Sequence, residues 1–213
     1  MNDLAEVESL ARVAGWLFEN GWAESNAGNM SVRINPEEKL SQKGPYAEFP
    51  MKHSFPNLGG TRLLITGTMR RMRDVPSDPH SNLGLIEILD GGNSYRCLWG
   101  CGMVTSEFPA HLAIHSMCIA ERREMKAVLH THPPHLIAMS HLREMQGRLD
   151  INRTLRRIHP EIFILMPKGT SMLAYRIPGG VGLGEATCDA LKKRDTVLWA
   201  RHGIVSIAPD FDV

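Results

Sequence analysis

Two histidines separated by one residue, His130-Thr131-His132, end a short apolar run, Ala127-Val128-Leu129, and are followed by Pro133-Pro134. On a strand, residues two apart point to the same face, so the two imidazoles would stand side by side where the prolines stop the strand. A third histidine, His202, ends another apolar run, Thr196-Val197-Leu198-Trp199, with Gly203 behind it. Two strand ends of one sheet would bring the three rings together. Three neutral nitrogen ligands with an open fourth position are what a catalytic zinc requires. A rival pair exists. His111 and His115 stand four apart in a predicted helix and share one of its faces. The zinc-protease pattern has Glu directly after the first His, and here that position is Leu112. The pair at the strand end is the better candidate, although spacing alone does not settle it.

Three loops are suited to an anion. Asn26-Ala27-Gly28-Asn29-Met30-Ser31 offers small and amide residues whose N–H groups can converge. Thr66-Gly67-Thr68 closes a strand with two hydroxyls and a close backbone approach. Thr105-Ser106-Glu107 places hydroxyls and free N–H groups at a helix start. Each alone reads equally as a turn; the three together suit a phosphate-sized pocket. Glu107 has two readings, a first-turn acid that complements the helix dipole or a base beside the metal.

These residues need elements to position them. Leu4, Val7, Leu10, Ala11, Ala14 and Leu17 recur at helical spacing, predicting a helix over 4–18 with Asn2 or Asp3 at its start and Asn20-Gly21 at its end. Residues 35–60 carry four Pro and three Gly and read as a long irregular excursion. A short strand is expected at Leu63-Leu64-Ile65. Asp90-Gly91-Gly92-Asn93 between two apolar runs marks a hairpin of 83–89 with 94–99. Thr105 or Ser106 is expected to cap a helix with Pro109 in its first turn. Strands are predicted at 126–132, 162–166, 172–176, 195–201 and 204–207, and helices after Pro134, at 149–158 and at 185–193. Hairpins dominate, so the sheet should be mixed or largely antiparallel with helices on its faces.

Composition narrows the function. The chain of 213 residues is expected to form one domain, and at that length it buries a core without disulfides. A net charge of +1 gives no electrostatic footprint for nucleic acid. No apolar run approaches the roughly 18 residues of a membrane span. The N-terminus lacks a signal pattern, and Cys97, Cys101, Cys118 and Cys188 are too scattered for a structural zinc cluster. The reading is a cytoplasmic protein with neither nucleic acid nor membrane as partner.

Asn-x-Gly-Asn at 26, Thr-Gly at 66, Thr-Ser-Glu at 105, His-x-His-Pro at 130 and Arg-His-Gly at 201 occur in the order and spacing of a known family. The chain resembles the class II aldolase/adducin-head superfamily along its whole length. Within it, Gly21-Trp22-Ala23-Glu24-Ser25-Asn26, Asn82-Leu83-Gly84, Leu98-Trp99-Gly100 and Thr105-Ser106-Glu107-Phe108-Pro109-Ala110-His111 are more similar to rhamnulose-phosphate aldolases than to fuculose-phosphate aldolases.

The resemblance implies a three-layer α/β/α sandwich around a mainly antiparallel sheet. It implies one Zn2+ per chain on His130, His132 and His202, with Glu107 as the acid–base residue and Glu161 as a second active-site carboxylate. It places Asn26, Asn29, Thr68, Thr105 and Ser106 around the phosphate of dihydroxyacetone phosphate, with the backbone kept close at Gly28. The expected activity is reversible cleavage of rhamnulose 1-phosphate in rhamnose metabolism, by a homotetramer with active sites at subunit interfaces. The alternatives are a fuculose-phosphate aldolase, a ribulose-phosphate 4-epimerase or a non-catalytic adducin-type head. Two departures stand out. Met69 occupies a position where the family usually has a second Gly, and the sequence ends at Val213, where the family continues into C-terminal helices; the domain is expected to lack that segment.

Overall fold

The computed structural model describes residues 5–34, 47–121, 123–145 and 150–212. Helix α1 (Ala5–Glu19) buries Val7, Leu10, Ala14 and Leu17, the face that the helical spacing marks. Its end is closed by amides of Gly21 and Trp22 donating to the carbonyls of Phe18 and Leu17. The proposed caps Asn2 and Asp3 lie outside the described residues, as do positions 35–46 of the long excursion. The rest of that excursion holds a three-residue edge strand and a single 3-10 turn at Pro56–Leu58.

Among the described residues nine strands form one sheet: β1 (Asn29–Ile34), β2 (Glu48–Pro50), β3 (Arg62–Thr66), β4 (Leu83–Ile88), β5 (Ser94–Gly100), β6 (Ala127–Thr131), β7 (Thr170–Leu173), β8 (Thr196–Trp199) and β9 (Gly203–Ala208). Their spatial order is β2-β5-β4-β3-β1-β6-β9-β8-β7. Every pairing is antiparallel except β7 with β8. The hairpin at Asp90–Asn93 joins β4 to β5, as its turn residues dictate.

Alternation along the strands feeds two cores. Leu64, Leu85 and Met30 pack with α1 on one face. Leu63, Ile65, Ile86, Val128, Val197 and Val205 pack on the other, against α3 (Phe108–Ala120) and α7 (Val181–Leu191). This is the three-layer α/β/α arrangement. Helices α2 (Pro79–Asn82), α4 (Pro134–Ser140), α5 (Ile151–Ile158) and α6 (Ile162–Leu165) are short. Asp150 caps α5 by accepting from the Asn152 amide. Among the described residues no helix is long and apolar enough to cross a membrane.

Three local expectations are corrected. Residues Ile162–Leu165 form a helical turn, not a strand; Ile164 and Leu165 are exposed, and a four-residue apolar run carries no period that separates the two states. The following strand begins at Thr170, whose N–H donates to Asn152 Oδ1, and ends at Leu173. At the start of α3 the N-cap position is Glu107 rather than Thr105 or Ser106. The Thr105 amide already donates to the Thr66 carbonyl, and its carbonyl accepts from the Phe108 amide, so the chain turns there before the helix begins.

Candidate active site

The cleft forms where β1, β6 and β9 end together. Register places Asn29 opposite His130 and Thr131 opposite Ile204. His130 and His132 leave β6 on one face with ring centroids 4.8 Å apart. His202 sits in the tight turn between β8 and β9, where Arg201 adopts a left-handed φ of 65° and its amide donates to Ser140 Oγ. That turn brings the His202 ring to 4.8 Å from His130 and 5.2 Å from His132. Gly203 is required at this spot, because a Cβ would lie 2.8 Å from both His130 Cε1 and His132 Cδ2.

Three ring nitrogens, one from each histidine, lie within 4.8 Å of one another. The Nδ1–H of His130 donates to the Ile204 carbonyl, 3.1 Å away, and that of His132 faces Glu24 Oε1 at 3.3 Å. This leaves both Nε2 lone pairs turned inward, only 3.0 Å apart. Two lone pairs at that separation repel unless a cation lies between them, so the donor set fits a divalent ion. Burial, and then the neighbouring imidazoles, push the His130 pKa well below its ordinary value, and burial also lowers His202. Neutral imidazole is the form that binds metal.

Glu107 lies against this group, its side chain 9% exposed, with Oε2 3.4 Å from His130 Nε2 and Oε1 3.3 Å from His202 Nε2. As an N-cap it makes no side-chain cap bond; its carboxylate turns into the cleft and accepts from Asn29 Nδ2 at 2.8 Å.

The loop after α1 is pinned over the strand ends. The Trp22 carbonyl accepts from the His132 amide at 2.7 Å and from Thr131 Oγ1 at 2.5 Å. Gly28 (φ 77°) then passes so close that a Cβ would meet the His130 carbonyl at 2.9 Å. Thr68 donates its amide to the Met103 carbonyl, which ties the 66–69 loop to the start of α3. Asn26, Gly28, Asn29, Thr68, Thr105, Ser106, Glu107, His130, His132 and His202 all line this single cavity of about 360 Å³. Glu161 does not: it is exposed at the start of α6 and faces His159 at 3.9 Å.

The model of the class II aldolase and adducin N-terminal domain family matches residues 8–212. The chain belongs to this family. Relatives agree with it: a rhamnulose-1-phosphate aldolase of Bacteroides thetaiotaomicron is 34% identical over 209 residues, 96% of this chain and 78% of that protein. One from Enterococcus faecalis is 31% identical over 97% of this chain and 76% of its own length. Among solved structures, a sugar-phosphate aldolase from Thermotoga maritima superposes with a TM-score of 0.85 at 36% identity, over 96% of this chain and 85% of that one. An L-fuculose-1-phosphate aldolase from Thermus thermophilus, 20% identical with a TM-score of 0.59 over 99% of this chain and 82% of that one, shares the fold. By its family and these relatives the class II aldolase described here is an enzyme of the lyase class.

Backbone conformation adds Ser25 to the Met69 departure that the sequence of this class II aldolase already marks. Ser25 and Met69 carry left-handed φ angles of 52° and 57°, so both walls of the cleft mouth hold non-glycine residues in a strained region. Met69 is exposed, and its Sδ accepts from Asn26 Nδ2 at 3.5 Å. The rival pair His111 and His115 does share one face of α3, but that face meets Ser31 of β1, not the metal group.

Proposed function

We propose that this class II aldolase is zinc-dependent and reversibly cleaves rhamnulose 1-phosphate to dihydroxyacetone phosphate and lactaldehyde. The observation that carries the reading is the cavity itself, in which three imidazoles and a buried carboxylate face loops of neutral hydrogen-bond donors. The names of the relatives support the sugar, and an all-imidazole donor set supports zinc.

His130, His132 and His202 would hold the ion. When bound, it supplies a Lewis acid that polarises the substrate carbonyl. Glu107 moves the proton at the hydroxymethyl carbon of dihydroxyacetone phosphate, removing it for condensation and returning it after cleavage. Asn26, Asn29, Thr68, Thr105 and Ser106, with backbone amides beside Gly28, receive the phosphate. Among the described residues lining the cavity there is no Lys or Arg, so neutral N–H and O–H groups and the helix start carry the dianion. The enzyme works as a homotetramer in the cytoplasm, where its four free thiols remain reduced. Exposed Ile158, Ile164, Leu165, Tyr175 and Ile177 are the kind of surface that subunit contacts cover.

The test is an aldol-cleavage assay across rhamnulose 1-phosphate, fuculose 1-phosphate and ribulose 5-phosphate, with and without chelator. The highest kcat/KM is expected for rhamnulose 1-phosphate, with activity lost to chelator. Faster cleavage of fuculose 1-phosphate, or epimerisation of ribulose 5-phosphate read by the stereochemistry of the recovered sugar, assigns that sister activity. Turnover of none leaves a binding module.

Met69 gives a second test. A left-handed φ costs a non-glycine residue roughly 1–2 kcal/mol, and glycine costs about 0.5–1 kcal/mol in added chain entropy. The balance favours glycine by about 0–1.5 kcal/mol, so Met69→Gly should leave stability unchanged or slightly raised. It releases Asn26 from a weak sulfur acceptor, and a neutral donor to a charged oxygen is worth at most about 3 kcal/mol. Calorimetry is expected to show dihydroxyacetone phosphate binding tightened by up to about 150-fold, with unphosphorylated dihydroxyacetone unaffected. Equal changes for both ketones would remove Asn26 from the phosphate site.

A further inference from the structure

Behind the carboxylate runs an unbroken line of buried polar side chains. Glu107 Oε2 accepts from Asn29 Nδ2 at 2.8 Å. Asn29 Oδ1 stands 2.5 Å from His111 Nε2. His111 Nδ1 is 2.7 Å from Ser31 Oγ, and Ser31 Oγ is 2.8 Å from His115 Nε2. All five side chains belong to residues no more than 7% exposed. Two periodicities build the line. Glu107, His111 and His115 are spaced by four along α3 and its cap, and Asn29 and Ser31 by two along β1, so one helix face meets one strand face.

The chemistry of each group fixes the direction of the line. An ionised carboxylate only accepts, so the Asn29 NH2 points to Glu107 and its carbonyl oxygen points away. That oxygen needs a donor, which His111 Nε2–H supplies. Burial lowers the His111 pKa to about 4, so near neutral pH the ring carries one N–H and its Nδ1 is an acceptor. Ser31 has one hydroxyl hydrogen and gives it to that Nδ1, so it accepts from His115 Nε2–H. The line therefore ends on a bare His115 Nδ1, and that buried atom is without a hydrogen-bond partner. The reverse direction would leave an N–H at that same atom, and an orphaned buried donor is rarer than an under-satisfied acceptor.

We propose that Ser31, His111 and His115 are positioning residues that lock the Asn29 amide with its NH2 group on Glu107. The two ends of an amide are nearly equal in size, so packing alone does not stop Asn29 from flipping. A flipped amide would turn its carbonyl oxygen on the carboxylate and push it off its bearing toward His130 and His202. The proposal rests on the reading of Glu107 as the proton-moving group. It gives Asn29 one donor on that carboxylate, and the second hydrogen of the same NH2 stays available to the phosphate in the cavity that both residues line.

Histidine-selective 15N NMR of the zinc-loaded protein reads the line without substrate. His111 and His115 are both expected as the neutral Nε2–H tautomer, and an Nδ1–H tautomer at His111 would overturn the proposal. In kinetics, His111→Leu should lower kcat by about 10- to 100-fold, the worth of a hydrogen bond to a charged group. KM for the sugar phosphate should stay within about threefold and zinc content should be unchanged. His111→Gln, whose amide can still donate to Asn29 Oδ1, should recover most of kcat. Equal kcat losses in the two variants, or a loss that appears in KM, would assign His111 a purely structural role. If no sugar phosphate is cleaved, the proposed function fails, while the tautomers still decide whether the line runs toward Glu107.

Discussion

Glu107→Gln is expected to slow proton exchange at the hydroxymethyl carbon of dihydroxyacetone phosphate by on the order of 10²-fold or more. The substitution removes the base and little else. A glutamine carbonyl can still accept from Asn29 Nδ2, now 2.8 Å from the carboxylate, so the cavity keeps its shape. The three imidazoles are untouched, so zinc should stay bound at wild-type stoichiometry. Tritium or deuterium wash-out isolates this step, because exchange needs only the ketone phosphate and no aldehyde. Unchanged exchange would pass the role to another carboxylate. Glu161, 74% exposed at its side chain and facing His159, is outside the cavity and would have to act from there. Glu24, which also lines the cavity, would be the nearer candidate.

Much of this site could be read from the sequence because it is built on regular elements. Strand periodicity puts His130 and His132 on one face, and the apolar run before His202 marks the strand whose end carries it. The three anion-suited loops are short connections between elements, so their neighbours fix their positions. What escaped depends on facts that residue types do not encode. His111 and His115 share a helix face as expected, but which strand side chain that face meets is set by sheet order. Ser31 could be named only once β1 was known to lie between β3 and β6. Asn29 is an amide among amides in its loop, and only the direction of its neighbours' hydrogen bonds assigns its two ends. Glu107 has two readings in the sequence, a first-turn acid or a base beside the metal; it reaches the cleft because Thr105 is held by Thr66 and the helix starts later than its hydroxyl residues suggest. The misread strand at 162–166 has the same origin, a run too short for its period to speak.

Removing one imidazole should have the other large effect. His130→Ala, His132→Ala and His202→Ala are each expected to reduce zinc from one per chain to a small fraction after dialysis, with affinity down by more than about 100-fold, beyond the usual loss for an outer partner. His130 should be the most severe. It is 2% exposed at its side chain, its Nδ1–H is spent on the Ile204 carbonyl, and no water can easily replace its ring. Glu24→Gln should cost much less, on the order of 10-fold, because it only orients His132 from an exposed position at 3.3 Å. His111→Leu serves as the control for a buried histidine on the neighbouring helix and should retain full metal. The readout is zinc per chain by elemental analysis, with competition against a chromophoric chelator for affinity. A His130→Ala protein that still holds one zinc at wild-type affinity would place the ion elsewhere. The pair of inward lone pairs 3.0 Å apart would then need a proton between them.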